Sequence, residues 1–313
     1  MRFVVLGAGA IGAYVGAALA RGGADVTLIA RGAHLAAMER DGVRVLSPRG
    51  DFTARPPVTD DVGAVAGAEV VFVGLKAYSL PEIAPRLGEL LAPGAGAIWA
   101  QNGIPWWYQP GLPSVDPGGI IASSIKPEHN IGCVVFSSTE IIEPGVIRHI
   151  EGTRFTIGEP SGEVSERCKA ISAAFAAGGL KAPVESRLAD QIWLKLIGNV
   201  AFNPITALTR ATLGQLGELP EMVDLLRAVF GECAQVADRL GIKFPVSLDR
   251  RLEAGLAVGD HKTSMLQDLE AGKRLEVGCM TGAVVELAGR LGVDVPHVSA
   301  IHACTLLLDR LNR

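Results

Sequence analysis

The sequence predicts an α/β protein in which an N-terminal, doubly wound sheet is followed by an all-helical C-terminal domain. Two observations predict this fold class. A short apolar run at Arg2–Leu6 leads directly into a glycine-rich turn and a helical stretch of small residues. After about Pro183 the strand patterns stop and helical patterns dominate. We therefore expect two domains, residues 1–183 and residues 184–313, a normal division for a chain of 313 residues.

The glycine-rich turn has the sequence Gly7-Ala8-Gly9-Ala10-Ile11-Gly12, which is a GxGxxG pattern between a strand and a helix. Gly7 permits the tight turn, Gly9 lets a phosphate approach the backbone, and Gly12 allows close packing of helix on strand. The helix N-terminus offers free N–H groups to an anion. A second strand at Asp25–Ile29 completes a βαβ unit of about thirty residues. This unit predicts a Rossmann-type domain that binds a dinucleotide.

The end of the second strand indicates which dinucleotide is bound. The strand ends in Ala30-Arg31, without the Asp or Glu that NAD enzymes usually place there. A guanidinium can hold a 2′-phosphate through two charge-assisted hydrogen bonds. We therefore expect NADP as the cofactor, with Arg31 as its 2′-phosphate contact. The alternative is that Arg31 is a solvated loop residue.

Composition excludes several classes of protein. Hydrophobic residues make up 49% and charged residues 20% of the chain, which is typical of a globular protein. The net charge of −4 favours neither nucleic acid nor an anionic membrane as a partner, and no apolar run is long enough to span a membrane. The first residues form a strand pattern and not a signal peptide, and the number and spacing of the cysteines favour a cytoplasmic protein. The sequence leaves the oligomeric state open, a homodimer included.

Cysteine and histidine spacing predicts neither disulfides nor a metal site. The five cysteines are widely scattered without a CxxC pair, and the six histidines show no HExxH or similar spacing. We expect the cysteines to be small core residues.

Two further strands end in polar residues. One apolar run ends at Lys76, and another is followed by Gln101-Asn102-Gly103. Ligands of open α/β sheets bind at the carboxyl ends of strands, so Lys76 and Asn102 are candidate contacts. The alternatives are a first exposed residue for Lys76 and ordinary Asn-Gly turn chemistry for Asn102. The run Trp106-Trp107-Tyr108 indicates either a loop over the site or a subunit contact.

The later strands and helices follow from local patterns. We predict that residues 43–47 and 52–58 pair as a hairpin, and that four short antiparallel strands between residues 131 and 157 finish the sheet. Helices are predicted at residues 80–91, 165–177, 219–240 and 248–256, with further helices up to Leu291 and from Pro296.

The helix that begins near residue 186 carries a polar stripe. Lys195, Asn199 and Asn203 are four residues apart and therefore share one face, among apolar neighbours. A cation and two amides are costly to bury unless they meet a ligand or a partner, which favours a functional stripe over a solvent-facing one. We expect Pro204 to kink or end this helix. By themselves, Ser264 as a cap and Glu276 as a first-turn acid need no functional role.

Together these motifs resemble the ketopantoate reductases (2-dehydropantoate 2-reductases). The resemblance covers nearly the whole chain, with the motifs in the family's order. The motifs that carry it are Gly7-Ala8-Gly9-Ala10-Ile11-Gly12, Leu75-Lys76-Ala77, Gln101-Asn102-Gly103, Lys195 through Asn199 to Asn203-Pro204-Ile205-Thr206-Ala207, and Ser264-Met265-Leu266-Gln267-Asp268 with Glu276.

The resemblance implies an oxidoreductase that reduces a 2-oxo acid, 2-dehydropantoate, to (R)-pantoate with NADPH on the route to pantothenate and coenzyme A. It also implies a role for each motif residue in a cleft between the domains. These roles are a general acid (Lys195), substrate contacts (Asn199, Asn203 and Ser264), a contact to both nicotinamide and substrate (Asn102), and cofactor contacts (Lys76 and Glu276).

Two features depart from the family pattern. Family members carry an asparagine several residues after the Asn-Pro-(Leu/Ile)-Thr-Ala segment, whereas residues 209–213 contain none. The aromatic run after Asn102 also differs from the shorter loop of typical members. Both lie where substrate identity would be set. The alternatives are therefore a reductase for another branched 2-oxo or β-hydroxy acid, and a non-catalytic NADP-binding sensor.

Overall fold

The computed structural model describes residues 1–312, which divide into two compact units. Unit 1 consists of Met1–Gln101 and Gly118–Leu188, and unit 2 consists of Asn102–Pro117 and the chain from Ala189 onward. The sequence did not predict that a segment of the N-terminal half would group with the later helices. No helix within residues 1–312 is both long and apolar enough to cross a membrane.

Unit 1 is built on one sheet with helices packed against it. Its strands are β1 (Arg2–Leu6), β2 (Asp25–Ile29), β3 (Val43–Leu46), β4 (Phe52–Ala54), β5 (Val58–Thr59), β6 (Val70–Val73), β7 (Gly96–Trp99), β8 (Asn130–Glu143) and β9 (Val146–Gly158). Its helices are α1 (Ala10–Arg21), α2 (Gly32–Asp41), α3 (Leu80–Leu90), α4 (Ile120–Ser124) and α5 (Glu166–Ala177).

Unit 2 is helical. Its helices are α6 (Leu188–Thr209), α7 (Leu213–Gly217), α8 (Pro220–Arg239), α9 (Leu248–Leu256), α10 (Ser264–Glu270), α11 (Ala283–Leu291) and α12 (Pro296–Leu311), with a π-helical turn at Gly278–Gly282 before α11. The structure confirms the α/β sheet followed by helices.

The sheet follows the order β4-β3-β9-β8-β7-β6-β1-β2-β5. Strand β1 pairs in parallel with β2 and β6, and β6, β7 and β8 continue the parallel part. Every residue of β6 is buried, as expected for a strand with both faces covered. Strands β3 and β4 form the predicted antiparallel hairpin.

Small residues let α1 lie close to this sheet. A Cβ added at Gly16 would come within 2.2 Å of the Leu28 side chain on β2. The helix ends at Gly22, whose N–H donates to the carbonyl of Ala18 at 3.0 Å. A larger residue at position 16 would require either the Leu28 side chain or α1 to shift.

The prediction of four short strands between residues 131 and 157 is wrong. Instead, β8 and β9 form one long antiparallel hairpin whose register shifts between Phe136 and Thr139. Gly152 takes a φ of +72° there, and a Cβ at this position would meet the Phe136 carbonyl at 2.2 Å. Bulges therefore absorb the polar residues that the sequence pattern assigned to turns. The hairpin does not finish the sheet, because β3 pairs in parallel with β9.

Three local expectations in the helical region need correction. Pro204 does not end α6, because the helix continues to Thr209 through buried residues whose packing outweighs the cost of the proline. Thr263, and not Ser264, caps α10, since its Oγ1 accepts the Leu266 N–H at 3.4 Å. Glu276 is not a first-turn acid but a buried residue ahead of the π-helical turn.

The buried carboxylate Glu159 joins the end of β9 to the start of α5. It accepts hydrogen bonds from Ser165 Oγ at 2.6 Å, from Arg167 Nε at 2.6 Å and from Arg167 Nη2 at 2.5 Å. Burial raises the pKa of Glu159, but the Arg167 and Ser165 hydrogen bonds outweigh it and hold this pKa below its ordinary value. The charged form of Glu159 therefore stabilises the fold.

We expect Glu159→Gln to lower the free energy of unfolding by about 2 kcal/mol at neutral pH, because Arg167 loses its anionic partner. The pKa of Glu159 is lowered on folding, so its contribution is present above the ordinary value of 4.5 and is lost as the pH falls through the folded pKa. Urea denaturation followed by circular dichroism from about pH 2 to about pH 8 measures the difference. Glu163→Gln, at an exposed position nearby, is the control. A difference between the wild type and Glu159→Gln that does not shrink at low pH would contradict the assignment.

Candidate functional site

The glycine turn of unit 1 has the backbone geometry of a dinucleotide-binding turn. Gly7 has a φ of +94°, which favours glycine. The N–H groups of Gly7 and Ala8 donate to the carbonyl of Ile29, at 3.2 and 2.9 Å, and so tie the turn to the end of β2. Gly9 is the N-cap of α1 and provides no side-chain cap for the first-turn N–H groups. Such uncapped N–H groups suit an anionic phosphate.

The glycines at positions 9 and 12 have different surroundings. A Cβ at Gly12 would come within 2.2 Å of the Gly7 carbonyl oxygen, so this glycine is required by packing. A Cβ at Gly9 would meet no protein atom within 4 Å. Nothing in the protein itself therefore requires glycine at position 9, whereas a pyrophosphate that must approach the backbone does. The residues present fit a dinucleotide.

Arg31 and Lys76 lie just beyond the carboxyl ends of two strands. Arg31 is exposed, follows β2 by two residues and is the N-cap of α2. Lys76 follows β6 and opens a short helical turn, with its carbonyl accepting the Ser79 N–H at 2.9 Å. Both residues are therefore at the edge of the sheet where nucleotides bind.

Gln101 supports the segment that carries Lys76, a role that the sequence analysis missed. Its Nε2 donates to the carbonyl oxygens of Val73 at 2.8 Å and of Leu75 at 3.0 Å. The only sequence signal was its place beside Asn102, directly after a buried strand. Gln101 thus braces the chain between β6 and the following helical turn.

In unit 2, the structure brings together three of the predicted site residues. The Lys195 Nζ donates to Asn102 Oδ1 at 2.8 Å, and Asn102 Nδ2 donates to Glu276 Oε2 through a long contact of 3.5 Å. The amide of Asn102 thereby links an ammonium to a buried carboxylate, with its acceptor toward the cation and its donor toward the anion. Lys195 itself is only partly buried on α6.

The backbone beside Asn102 is held by the π-helical turn. Gly103 has a φ of +84°, and a Cβ there would come within 2.2 Å of the Cys279 carbonyl oxygen. The same carbonyl accepts the Ile104 N–H at 2.7 Å. Only glycine allows this approach, so Gly103 and Cys279 set the position of Asn102. Neither Cys279 nor the π-helical turn could be identified from sequence spacing.

Helix α11 holds the rest of the segment that begins at Asn102. The Glu286 carboxylate accepts the backbone N–H of Ser114 at 3.0 Å and also the Ser114 hydroxyl. The Arg290 guanidinium donates to the carbonyl oxygens of Pro110 and Gly111. These side chains explain why the segment groups with the helical unit.

The remaining predicted residues occupy different surroundings. Asn199 is partly buried on the same stripe of α6 as Lys195. Asn203 is buried, with Nδ2 at 3.8 Å from the sulfur of Met280. Ser264 is exposed at the first position of α10.

Comparison with known proteins identifies the family. The model of the ketopantoate reductase PanE/ApbA family matches residues 3–162, and the model of its C-terminal domain matches residues 187–308. The chain belongs to the ketopantoate reductase PanE/ApbA family. It is therefore an oxidoreductase of a family that uses nicotinamide cofactors.

Individual relatives agree with this assignment. The 2-dehydropantoate 2-reductase of Mesorhizobium japonicum is 39% identical, over 97% of this chain and 96% of its own length. A crystal structure of a candidate ketopantoate reductase from Ralstonia solanacearum MolK2 has a TM-score of 0.92 at 34% identity and covers 99% of this chain and 98% of its own. D-mandelate dehydrogenase, solved with NADH and anilino(oxo)acetate, has a TM-score of 0.86 at 17% identity, with coverage of 100% and 99%, and shares the fold.

A pair of alanine substitutions tests the dinucleotide turn. We expect Gly9→Ala to fold normally but to bind NADPH about tenfold or more weakly, because the added methyl group occupies the space into which a pyrophosphate would approach. Gly12→Ala should instead lower the thermal stability of the cofactor-free protein, since its methyl group meets the Gly7 carbonyl oxygen. Thermal unfolding and fluorescence titration with NADPH measure the two effects. Unchanged NADPH binding by Gly9→Ala would show that the cofactor lies elsewhere.

Proposed function

We propose that this protein reduces 2-dehydropantoate to (R)-pantoate with NADPH, as a step of pantothenate biosynthesis. The main support for this proposal is the 2.8 Å hydrogen bond from Lys195 Nζ to Asn102 Oδ1. It occurs in a chain whose two halves both match the ketopantoate reductase family. The M. japonicum relative, named as a 2-dehydropantoate 2-reductase, supports the choice of substrate.

Reduction of a ketone needs a hydride at carbon and a proton at oxygen. When bound, NADPH supplies the hydride. Lys195 is the general acid: its ammonium stabilises the negative charge that develops on the ketone oxygen and gives that oxygen a proton from Nζ. Asn102 accepts a hydrogen bond from the same ammonium and so restricts the directions in which Lys195 can point.

The cofactor contacts proposed for this chain follow its sequence motifs. The backbone of residues 7–12 holds the pyrophosphate, Arg31 holds the 2′-phosphate, and Lys76 and Glu276 complete the nucleotide site. The open Cβ position of Gly9 and the exposed Arg31 directly after β2 support these contacts. The choice of NADPH over NADH rests on Arg31, because no carboxylate ends β2.

The substrate contacts proposed are Asn199, Asn203 and Ser264, which would hold the hydroxyl and carboxylate groups. Amide and hydroxyl groups can donate to both of these substrate groups. Asn199 is partly buried, Asn203 is buried and Ser264 is exposed.

A reductase for another branched 2-oxo acid is the second candidate function, and one region of the chain favours it. The segment in which family members carry an additional asparagine starts at the end of α6, where Arg210 takes a φ of +63°. Thr212 then begins α7 through a capping box with Gln215. The polar side chains of this capping box satisfy the backbone, so a substrate group would find a different set of donors here.

A substrate panel with Lys195→Ala tests the proposed reaction. We expect the wild-type protein to oxidise NADPH, measured by its absorbance, with 2-dehydropantoate as the preferred 2-oxo acid. Lys195→Ala should reduce kcat by about 100-fold to 10,000-fold with little change in NADPH binding, because it removes the acid and not a cofactor contact.

Lys169→Ala, which removes an exposed lysine on α5, is the matched control and should keep wild-type kinetics. Equal losses of kcat and NADPH affinity in Lys195→Ala would remove its role as the acid. Preference for a different 2-oxo acid would support the second candidate function. No oxidation of NADPH with any member of the panel would overturn the enzyme proposal in favour of an NADP-binding sensor.

Substitution at Arg31 tests the choice of cofactor. We expect Arg31→Asp to lower the ratio of kcat/KM for NADPH to that for NADH by about tenfold or more, because a carboxylate repels the 2′-phosphate and accepts hydrogen bonds from a ribose. Steady-state kinetics with both cofactors measure this ratio. Arg40→Asp makes the same charge change at an exposed position in the last turn of α2 and should leave the ratio unchanged. An unchanged ratio in Arg31→Asp would show that Arg31 does not contact the cofactor.

A further inference from the structure

Unit 1 contains a small polar cavity that the proposed reaction does not use. Its volume is about 130 Å³. The residues that form it come from α1, the β3–β4 hairpin and the loop after α5, and those that matter here are Tyr14, Arg21, Ser47, Arg49, Phe52 and Gly179. Arg21 is the last residue of α1, about 16 Å along the helix from its first residue beside the glycine turn. The cavity is therefore separate from the predicted nucleotide site.

The Arg21 guanidinium is held in place at this cavity. Its Nη2 donates to the Gly178 carbonyl at 2.8 Å, and its Cζ lies 4.0 Å from the centre of the Phe52 ring. A Cβ at Gly179 would come within 2.8 Å of the same Nη2, so the glycine leaves room for the guanidinium. A guanidinium has five N–H donors, and Nη2 shares only one with Gly178. The remaining donors of Arg21 can bind an anion.

The second arginine is carried by a tight turn between β3 and β4. The Arg49 backbone N–H donates to Ser47 Oγ at 3.1 Å, and the Gly50 N–H donates to the Ser47 carbonyl at 2.9 Å. Asp51, the carboxylate of this turn, accepts the Ser47 N–H at 2.9 Å. Within residues 1–312, neither Arg21 nor Arg49 forms an ion pair with a carboxylate. Two cations therefore line one cavity, and neither is ion-paired within the described residues.

Tyr14 adds a hydroxyl donor at the cavity wall. Its side chain is more than nine-tenths buried, with 4% of the residue exposed, and it forms part of the cavity wall. In the part of the chain that the structure describes, its hydroxyl has no hydrogen-bond partner. Burial raises the pKa of Tyr14, while Arg49 and Arg21 act in the opposite direction, so the phenol stays protonated and can donate at neutral pH.

The Tyr14 ring is fixed by His149. The two rings stack with centroids 4.6 Å apart and an interplanar angle of 15°. His149 is itself anchored, because Nε2 lies 2.6 Å from the Gly152 carbonyl and Nδ1 lies 2.9 Å from Ser47 Oγ. The Tyr14 hydroxyl is therefore held in one direction at the cavity, where it can donate to a bound ligand.

We propose that this cavity binds a small tetrahedral oxyanion of the phosphate class, held by Arg21, Arg49 and the Tyr14 hydroxyl. Guanidinium groups pair with phosphate oxygens through charge-assisted, bidentate hydrogen bonds. The cavity volume of about 130 Å³ is large enough for one phosphoryl group. Sites for larger organic ligands occupy about 300 Å³ or more, so a nucleotide does not fit. The ligand is free phosphate or the phosphoryl end of a small phosphomonoester.

Calorimetric titration of phosphate into the protein saturated with NADP⁺ tests this proposal, because the bound dinucleotide occupies the phosphate sites of the nucleotide cleft. At constant ionic strength we expect one site with a Kd of about 1 mM or tighter. Arg49→Gln should weaken binding about tenfold, and Tyr14→Phe, which keeps the ring stacked on His149, should weaken it about fivefold. Arg44→Gln, at an exposed arginine on β3 outside the cavity wall, is the charge-matched control and should bind as the wild type does.

The variants separate a defined site from general charge attraction. Equal weakening in Arg49→Gln and Arg44→Gln, or wild-type affinity in Tyr14→Phe, would overturn the proposal. A parallel titration with O-phosphoserine distinguishes the two ligand sources: binding of phosphate alone supports free phosphate, and tighter binding of the ester supports a phosphomonoester. No saturable binding of either compound would refute the site. Because the readout is binding, its failure is distinguishable from failure of the proposed reductase activity.

Discussion

The close approach of α1 to the sheet is the constraint on which unit 1 depends. The Gly12 backbone lies so near the Gly7 carbonyl that even a methyl group would not fit between them, and Gly16 lies against the Leu28 side chain of β2. This contact fixes where α1 starts, and therefore where its first-turn N–H groups point. The open space at Gly9 is a consequence of the same geometry, because the turn that brings α1 onto β1 leaves that position facing away from other protein atoms. Packing and the proposed cofactor contacts thus share the six residues of the glycine turn.

Unit 2 depends in a similar way on one amide. Asn102 connects the Lys195 ammonium to the Glu276 carboxylate, and its backbone is held against the π-helical turn by the Gly103 conformation and the Ile104 hydrogen bond. A lysine on a helix has four rotatable side-chain bonds, so a partner that restricts them contributes to positioning. The π-helical turn, a feature often found at functional sites, presents the Cys279 carbonyl toward this segment. The side chains of α11 hold the rest of the segment in place.

In the functions we propose, the same helix α1 contributes to two separate ligand sites. Its N-terminal end carries the glycine turn, while Tyr14 and Arg21 contribute to the oxyanion cavity farther along. The Tyr14 ring stacked on His149 ties that part of the helix to β9, and Arg21 ties its end to the loop after α5. Local sequence patterns assign no role to Arg21 or Tyr14, since neither residue is unusual within its helix.

Much of the fold and part of the site could be predicted from sequence, because the responsible signals are local. The strand-turn-helix order at residues 7–12, the strongly apolar run of β6 and the capping serine of α5 depend on neighbours in the chain. Local patterns failed where a distant residue satisfies the backbone. Bulges in the β8–β9 hairpin replace the predicted turns, and buried packing carries α6 past Pro204. Thr263 caps α10 while its hydroxyl also pairs with Thr206.

By itself, the sequence determined the α/β class, the glycine turn, the polar stripe of α6 and the family. All of these depend on the types of residues that lie close together in the chain. Only the tertiary structure decided that Asn102 contacts Lys195, that residues 102–117 group with the helical unit, and that two distant arginines and a tyrosine line one cavity. The physical reason is that these contacts join residues as many as 180 positions apart. Their distances depend on how whole helices and strands pack, which no local pattern specifies.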